Sequence, residues 1–206
     1  MKIRVGVMGT SEGELNPEIV KKAYILGEEI ARWGCAILTG GCPGLPYEAT
    51  KGAKAQGGMT IGISPALTLE EHIKIFRSPA DEIDVMIYTG SGLMGREVTA
   101  VRSCDIVIIV GGRSGTLGEF AIAYDEGKLI GVLEGSGGIA DEIKRIVETI
   151  KKPTGSKIIY STEPKELIAK LLTVHRRTRG SGLGARDSGI KESPNPLIPP
   201  AGETKK

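Results

Sequence analysis

Four short loops rich in glycine, serine and threonine carry the residues with the clearest chemical potential in this chain. Glycine lets a backbone approach a ligand closely, and the free N–H groups at a helix start attract anions. The loops therefore predict a site for a phosphate-bearing ligand, with a nucleotide as the main expectation. The predicted ligand-binding residues are Gly9, Thr10, Ser11, Gly40, Gly41, Gly44, Gly90, Ser91, Gly92, Met94, Gly111, Gly112, Arg113, Ser114, Gly115 and Thr116.

Several other kinds of site are disfavoured by the motifs that the chain lacks. No Gly-Lys-Ser/Thr loop follows a strand, and no GxGxxG loop is present, which argues against ATP hydrolysis and NAD binding. The two histidines, His72 and His175, lie far apart, and the three cysteines form no CxxC pair. We therefore expect no metal site and no disulfide, and a reducing, cytoplasmic compartment.

The elements that must position these loops alternate along the whole chain. Seven apolar runs with strand character are separated by segments of helical periodicity, and each glycine-rich loop follows one of the runs. Such alternation predicts an α/β fold, a Rossmann-like doubly wound parallel sheet of about seven strands with helices on both faces. In such sheets ligands bind at the carboxyl ends of the strands, where the strand order reverses.

The charge distribution divides the chain into a predicted Rossmann-like domain, residues 1–175, and a predicted disordered basic tail, residues 176–206. The tail holds seven basic and three acidic residues, so that the domain carries a net charge of −2 in a chain of net charge +2. This balance argues against a general nucleic-acid binder. No apolar run approaches the ~18 residues of a membrane span, so we expect no membrane partner.

The segment Gly111-Gly112-Arg113-Ser114-Gly115-Thr116-Leu117-Gly118-Glu119 resembles the PGGxGTxxE motif of the LOG family. Met94-Gly95-Arg96-Glu97 is similar to the arginine motif of that family, and residues 40–45 and 57–59 are similar to its second and third strand-end loops. The resemblance covers about residues 1–175. Within the superfamily, the greatest similarity is to the branch of the molybdenum-cofactor carrier proteins.

LOG enzymes hydrolyse the N-glycosidic bond of nucleoside 5′-monophosphates to free base and ribose 5-phosphate. The resemblance implies that the loop 111–116 holds the 5′-phosphate and that the catalytic residues are Arg96 and Glu119. Glu119, expected in the first turn of the next helix, would activate water or stabilise the developing oxocarbenium charge. Arg96 would orient Glu119 or hold phosphate. The family also implies a homodimer or homotetramer, and no cofactor is required.

Three departures from the family motifs keep an alternative open. Gly111 and Arg113 replace the proline and the second glycine, and Glu97 replaces the lysine that follows the motif arginine. Arg113 would suit a ligand more anionic than AMP. The alternative function is therefore a non-catalytic carrier with a molybdopterin-type cofactor as its cargo.

A third hypothesis comes from a further resemblance. Arg113-Ser114-Gly115 is similar to the R-S-G motif of the DNA-processing protein A family, which binds single-stranded DNA. The acidic domain and the scarcity of aromatic residues for base stacking argue against this function.

Overall fold

The computed structural model describes residues 1–180, which form one seven-stranded sheet in which every strand pair is parallel. The order across the sheet is β4-β3-β2-β1-β5-β6-β7. The strands are β1 (Arg4–Gly9), β2 (Ala36–Thr39), β3 (Met59–Ser64), β4 (Val85–Tyr88), β5 (Ile106–Val110), β6 (Leu129–Leu133) and β7 (Lys157–Ser161).

Within residues 1–180, seven helices connect and follow the strands. They are α1 (Pro17–Arg32), α2 (Leu45–Ala55), α3 (Leu69–Lys74), α4 (Gly92–Arg102), α5 (Ser114–Asp125), α6 (Gly138–Ile150) and α7 (Pro164–Gly180). Buried side chains of α1, α2 and α7 form one hydrophobic core with the sheet, and those of α4, α5 and α6 form a second. Helices therefore cover both faces, and the predicted doubly wound α/β fold is confirmed.

The boundaries differ from the sequence expectation where tertiary geometry decides them. Helix α5 begins at Ser114 rather than near Leu117, because the positive φ angles of Gly111 and Gly112, 62° and 105°, turn the chain earlier. Helix α7 continues to Gly180 and includes the first residues of the segment predicted as a tail. Residues 181–206 of that segment lie outside the described residues. In residues 1–180, no helix is both long and apolar enough to cross a membrane.

The chain reverses its direction of travel across the sheet between β1 and β5. Strands β1 to β4 extend the sheet outward one after another, and β5 then returns to pair with the other side of β1, with Gly9 opposite Val110. In an open parallel sheet this switch point leaves a crevice at the carboxyl ends of the strands. The fold therefore places a potential binding site beyond Gly9 and Val110.

Two glycines allow α1 and α2 to pack against each other at unusually short distance. A Cβ atom at Gly27 would overlap the carbonyl oxygen of Ala49, and one at Gly52 would overlap the carbonyl oxygen of Tyr24. Both obstacles are backbone atoms, which side-chain rotation cannot move away. The close approach matters for the site because α2 follows directly from the loop after β2.

We predict that Gly27→Ala destabilises the protein by at least about 2 kcal/mol, the range typical of overpacking, even though alanine has the higher helix propensity. Gly95→Ala in α4 is the matched control, because Gly95 is exposed and a Cβ there would meet only the exposed Ser91 side chain. Urea unfolding measures the free energy of unfolding of both variants relative to the wild type. Equal stability of the two variants would contradict the proposed backbone contact.

Candidate functional site

A cleft of about 690 Å³ opens at the carboxyl ends of β1, β2 and β5. The loops after these three strands line it, together with the start of α5, one side of α4 and the segment 75–78 that follows α3. A cleft of this size is in the range of small-molecule and cofactor sites. Its position coincides with the switch point of the sheet.

The structure places ten of the predicted site residues in the wall of this cleft and eight outside it. The ten are Gly9, Thr10, Ser11, Gly40, Arg96, Arg113, Ser114, Gly115, Thr116 and Glu119. The eight that do not line it are Gly41, Gly44, Gly90, Ser91, Gly92, Met94, Gly111 and Gly112. The loop 90–92 is excluded because β4 lies three strands from β1, a distance of about 14 Å at the usual strand spacing.

Hydrogen bonds between loops hold the cleft together. The Gly112 amide donates to the Thr10 hydroxyl (2.7 Å), and the Gly111 amide donates to the Ser136 hydroxyl (2.8 Å). The Leu45 amide donates to the Thr10 carbonyl oxygen (2.8 Å). Thr10 therefore joins the loops after β1, β2 and β5. The amides of Gly111 and Gly112, expected to bind the ligand, stabilise the loops instead.

The first turn of α5 is the part of the cleft best suited to an anion. The first intrahelical hydrogen bond runs from the Leu117 amide to the Arg113 carbonyl oxygen (2.9 Å), and the Arg113 side chain does not cap the helix. The amides of Ser114, Gly115 and Thr116 precede that bond and have no acceptor within the helix. They line the cleft at the positive end of the helix dipole.

At the rim of the cleft, the exposed Arg113 guanidinium pairs with the carboxylate of Glu12 at 3.1 Å. Both side chains are largely solvent-accessible, so the pair contributes little to stability. A ligand phosphate at the start of α5 would compete with Glu12 for this guanidinium.

Arg96 is buried in the wall of the cleft, with 7% of its surface exposed. Its Nη1 donates to the carbonyl oxygens of Gly40 and Ile63, the latter at 3.0 Å, whereas its Nε has no hydrogen-bond partner in the described part of the chain. A Cβ at Gly40 would overlap the guanidinium, so glycine is required at position 40. Arg96 therefore links the ends of β2 and β3 to α4, and its Nε is a buried donor without a partner among the described residues.

Glu119 is 7% exposed and lies in the second turn of α5, not in the first turn as expected, because the helix begins earlier. Its pKa is raised to about 7: burial is the main cause, the positive charge of Arg96 acts in the opposite direction, and the negative charge of Glu97 adds to the rise. The helix dipole acts mainly within the first turn and gives this carboxylate little stabilisation. Glu119 can therefore exchange a proton near neutral pH.

Glu97 is a cleft residue that the sequence reasoning recorded only as a departure from a motif. It is 5% exposed, and burial raises the pKa of its carboxyl group, while Arg96 lowers it. The carboxylate lies against α5, where its Oε2 is 2.7 Å from the position that a Cβ of Gly118 would occupy. The signal available in the sequence was the glycine pair at positions 115 and 118, which leaves room on one side of α5.

The segment 75–78, also missed by the sequence reasoning, completes the cleft. Ile75 and the half-buried Phe76 contribute an apolar wall, and Leu93 at the start of α4 adds to it. Nothing in the sequence around Phe76 marks a ligand site, because its position depends on how the loop after α3 folds back. In residues 1–180, no group of three His, Cys, Asp or Glu side chains is arranged to bind a metal ion.

Comparison with known proteins shows similarity over most of the domain. A molybdenum cofactor binding protein from Rippkaea orientalis is 31% identical to this chain and superposes with a TM-score of 0.69. The match covers 84% of this chain and 98% of the Rippkaea protein. The molybdenum cofactor carrier protein of Chlamydomonas reinhardtii is 29% identical, covers 84% and 99% of the two chains, and has the same TM-score. DNA processing protein A from Helicobacter pylori, at 22% identity and a TM-score of 0.56, covers 84% and 81% of the two chains and shares the fold alone.

The sequence similarity extends to an uncharacterized protein of Archaeoglobus fulgidus, which is 36% identical over 132 residues, 64% of this chain and 80% of that protein. The model of the SLOG cluster4 family matches residues 2–168, which include every strand, six of the seven helices and the whole cleft wall described above. The chain therefore belongs to the SLOG cluster4 family.

Proposed function

We propose that this protein binds a phosphate-bearing pterin of the molybdenum-cofactor class and acts as a carrier rather than an enzyme. The observation that carries the proposal is the cleft at the start of α5, where the amides of Ser114, Gly115 and Thr116 have no acceptor within the helix. The proteins named as carriers or binders of the molybdenum cofactor share most of the domain, which favours this alternative over the hydrolase hypothesis.

The arrangement of charges supports a phosphate position at the start of α5 rather than at Arg96. The Nη1 of Arg96 already donates to two carbonyl oxygens, and two acidic side chains, Glu97 and Glu119, lie near its guanidinium. A phosphate there would meet carboxylates in a buried setting. At the start of α5, by contrast, it would meet open amides, the hydroxyls of Thr10 and Ser11, and the guanidinium of Arg113.

The size of the cleft also fits a ligand much larger than phosphate alone. About 690 Å³ accommodates a ring system next to the phosphate. Phe76, Ile75 and Leu93 offer an apolar wall for such a ring. A carrier needs the ligand held reversibly and covered on several sides, and a cleft that remains open at its rim meets that need.

A second candidate function, hydrolysis of a nucleoside monophosphate, is favoured by one observation. Glu119 is buried in the cleft with a pKa of about 7, which suits a general acid or base at neutral pH. Its position in the PGGxGTxxE-like motif is that of the catalytic glutamate in the resemblance to LOG enzymes. A carrier would use the same side chain only to contact its ligand.

We also propose that the chain forms homo-oligomers through the β4 side of the sheet. Exposed apolar side chains concentrate on α3, β4 and α4, including Ile73 (48%), Ile87 (46%) and Val98 (38%). Contiguous exposed apolar surface commonly marks an interface between proteins. The resemblance to families of homodimers and homotetramers supports a second copy of this chain as the partner.

If the phosphate binds at the start of α5, substitutions of Arg113 and of its ion-pair partner Glu12 should change ligand affinity in opposite directions. We expect Arg113→Ala to weaken binding of a pterin monophosphate about 5-fold, the effect of losing roughly 1 kcal/mol. Glu12→Gln should tighten binding, because it removes the competitor of the phosphate for Arg113. Fluorescence titration at low ionic strength measures both.

Arg145→Ala, which breaks an exposed ion pair on α6, is the matched control for the change in charge. If Arg113→Ala binds the pterin monophosphate with wild-type affinity, the phosphate does not bind next to Arg113. A wild-type protein that does not bind the pterin monophosphate at all would refute the carrier proposal.

For Glu119, the carrier proposal predicts that wild-type protein incubated with AMP releases no more free adenine than Glu119→Gln does. Chromatography of the reaction at several pH values provides the measurement. If Glu119 were a general base, release would rise as pH passes about 7, where the carboxylate forms, and would be lost in Glu119→Gln. That result would establish the hydrolase and overturn the carrier.

Self-association predicts that Val98→Glu shifts the protein to the monomer, because the new charge would be desolvated in an apolar interface. Light scattering coupled to size-exclusion chromatography determines the mass. Ile150→Glu is the matched control, since Ile150 is also exposed but lies at the end of α6. A monomeric wild-type protein would refute this interface.

A further inference from the structure

The start of α6 packs directly against the glycine turn that precedes α5. The amides of Ile139 and Ala140 lie in the first turn of α6, where they have no acceptor within that helix. They donate instead to the carbonyl oxygens of Gly112 (3.0 Å) and Gly111 (2.9 Å), respectively. The Gly111 amide donates in turn to the hydroxyl of Ser136, just before α6. The start of α6 therefore holds two consecutive peptide groups of the loop after β5.

The direction of a carbonyl group also determines the direction of the N–H in the same peptide group. The two are antiparallel in a planar trans peptide, and residues 1–180 contain no cis peptide bond. The Gly111 carbonyl points to α6, and the N–H of that peptide group, which belongs to Gly112, donates to the Thr10 hydroxyl in the cleft wall. The direction away from α6 is therefore the direction of the cleft.

The next peptide group, between Gly112 and Arg113, is held in the same way. Its carbonyl oxygen accepts from Ile139, so the Arg113 N–H points away from α6. Because both carbonyl groups meet neighbouring amides of one helix, both N–H groups point to the cleft side of the turn. The Arg113 N–H has no acceptor in the described part of the chain. It is therefore an open donor next to the amides of residues 114–116.

Holding this peptide group matters because glycine at position 112 would otherwise let it turn over. Glycine adopts positive and negative φ angles with similar ease. A reversed peptide group would present its carbonyl oxygen, rather than the Arg113 N–H, to a phosphate at the start of α5. The hydrogen bond from Ile139 keeps the carbonyl oxygen toward α6. The contact with α6 therefore decides whether this part of the loop attracts or repels an anion.

Gly138, the first residue of α6, makes the close contact possible. A Cβ atom there would overlap the carbonyl oxygen of Gly112 and lie 3.1 Å from its amide nitrogen. Both are backbone atoms, which side-chain rotation cannot move away. Gly135 in the same loop has a similar positive φ, 72° against 56° at Gly138, but no atom lies within 4 Å of its Cβ position. Only Gly138 is required by the contact with the turn.

We propose that Gly138 is a positioning residue, through which the start of α6 orients the Gly112–Arg113 peptide group so that the Arg113 amide donates to the ligand phosphate. The inference rests on the proposed phosphate position at the start of α5 and adds a fourth backbone donor to it. Successive N–H groups of a turn form a concave site for anions. The open amides of the helix start extend this concavity.

Amide NMR spectra of the wild-type protein test the proposal directly. A pterin monophosphate should move the amide proton of Arg113 downfield together with those of residues 114–116, because hydrogen bonds to phosphate oxygens are short and strong. The same pterin without its phosphate is the matched control ligand and should leave the Arg113 resonance unchanged. If the monophosphate moves residues 114–116 but not Arg113, the inference is wrong, and no variant is needed to show it.

Gly138→Ala provides the second arm, since its Cβ would push the Gly112 carbonyl group away from α6. Affinity for the pterin monophosphate should fall about 10-fold, the effect of losing one charge-assisted hydrogen bond. Affinity for the unphosphorylated pterin should not change. Gly135→Ala carries similar backbone strain without the collision and should bind both compounds like the wild type.

A purely structural role of Gly138 would lower the affinities for both compounds equally, and that result would refute positioning. Wild-type affinity of Gly138→Ala for the monophosphate would refute it as well. The wild-type spectra decide the question even if this variant does not fold.

The outcomes also separate the inference from the proposed function. A response of residues 114–116 without Arg113 would preserve the phosphate position and remove only the role of α6. Binding that moves none of these four amides would refute the phosphate position and the inference together. If the wild-type protein does not bind the pterin monophosphate, the proposed function fails and the inference fails with it.

Discussion

The guanidinium of Arg96 lies inside the wall of the cleft, and much of the site depends on how it is held there. A buried cation is costly unless its donors are satisfied. Nη1 donates to the carbonyl oxygens of Gly40 and Ile63, at the ends of β2 and β3, and glycine at position 40 makes room for it. Arg96 therefore joins α4 to the sheet and brings its neighbour Glu97 to α5.

The same arrangement divides the cleft into two chemically different parts. Arg96, Glu97 and Glu119 form a buried cluster with one cation and two acidic groups, in which burial raises the pKa of Glu119 to about 7, against the positive charge of Arg96 and with a smaller contribution from the negative charge of Glu97. The start of α5 offers open amides instead, and its dipole favours negative charge.

The departures from the LOG motifs gain a physical meaning from this division. Arg113 stands at the rim beside the proposed phosphate position, and its guanidinium pairs there with the carboxylate of Glu12. Glu97, in place of a lysine, puts a carboxylate where a cation would have attracted phosphate. For the proposed ligand, the two departures would act together, because Arg113 would attract the phosphate to the start of α5 and Glu97 would repel it from Arg96.

The sequence by itself determined the fold class and much of the candidate site. Strands and helices are encoded by local periodicity, and each glycine-rich turn follows its own strand, so the parallel sheet and the loops after β1, β2 and β5 were predictable. Arg96 and Glu119 were identified through the motif that contains them. Both line the cleft.

Only the tertiary structure decided which of these features share one site. Strand order placed the loop 90–92 away from the cleft. The amides of Gly111 and Gly112 donate hydrogen bonds to side chains of other loops and are therefore not free for a ligand. The burial of Glu97 and the position of Phe76 depend on how α4 and the loop after α3 pack against distant parts of the chain. Such contacts join residues far apart in sequence, and local sequence patterns therefore do not predict them.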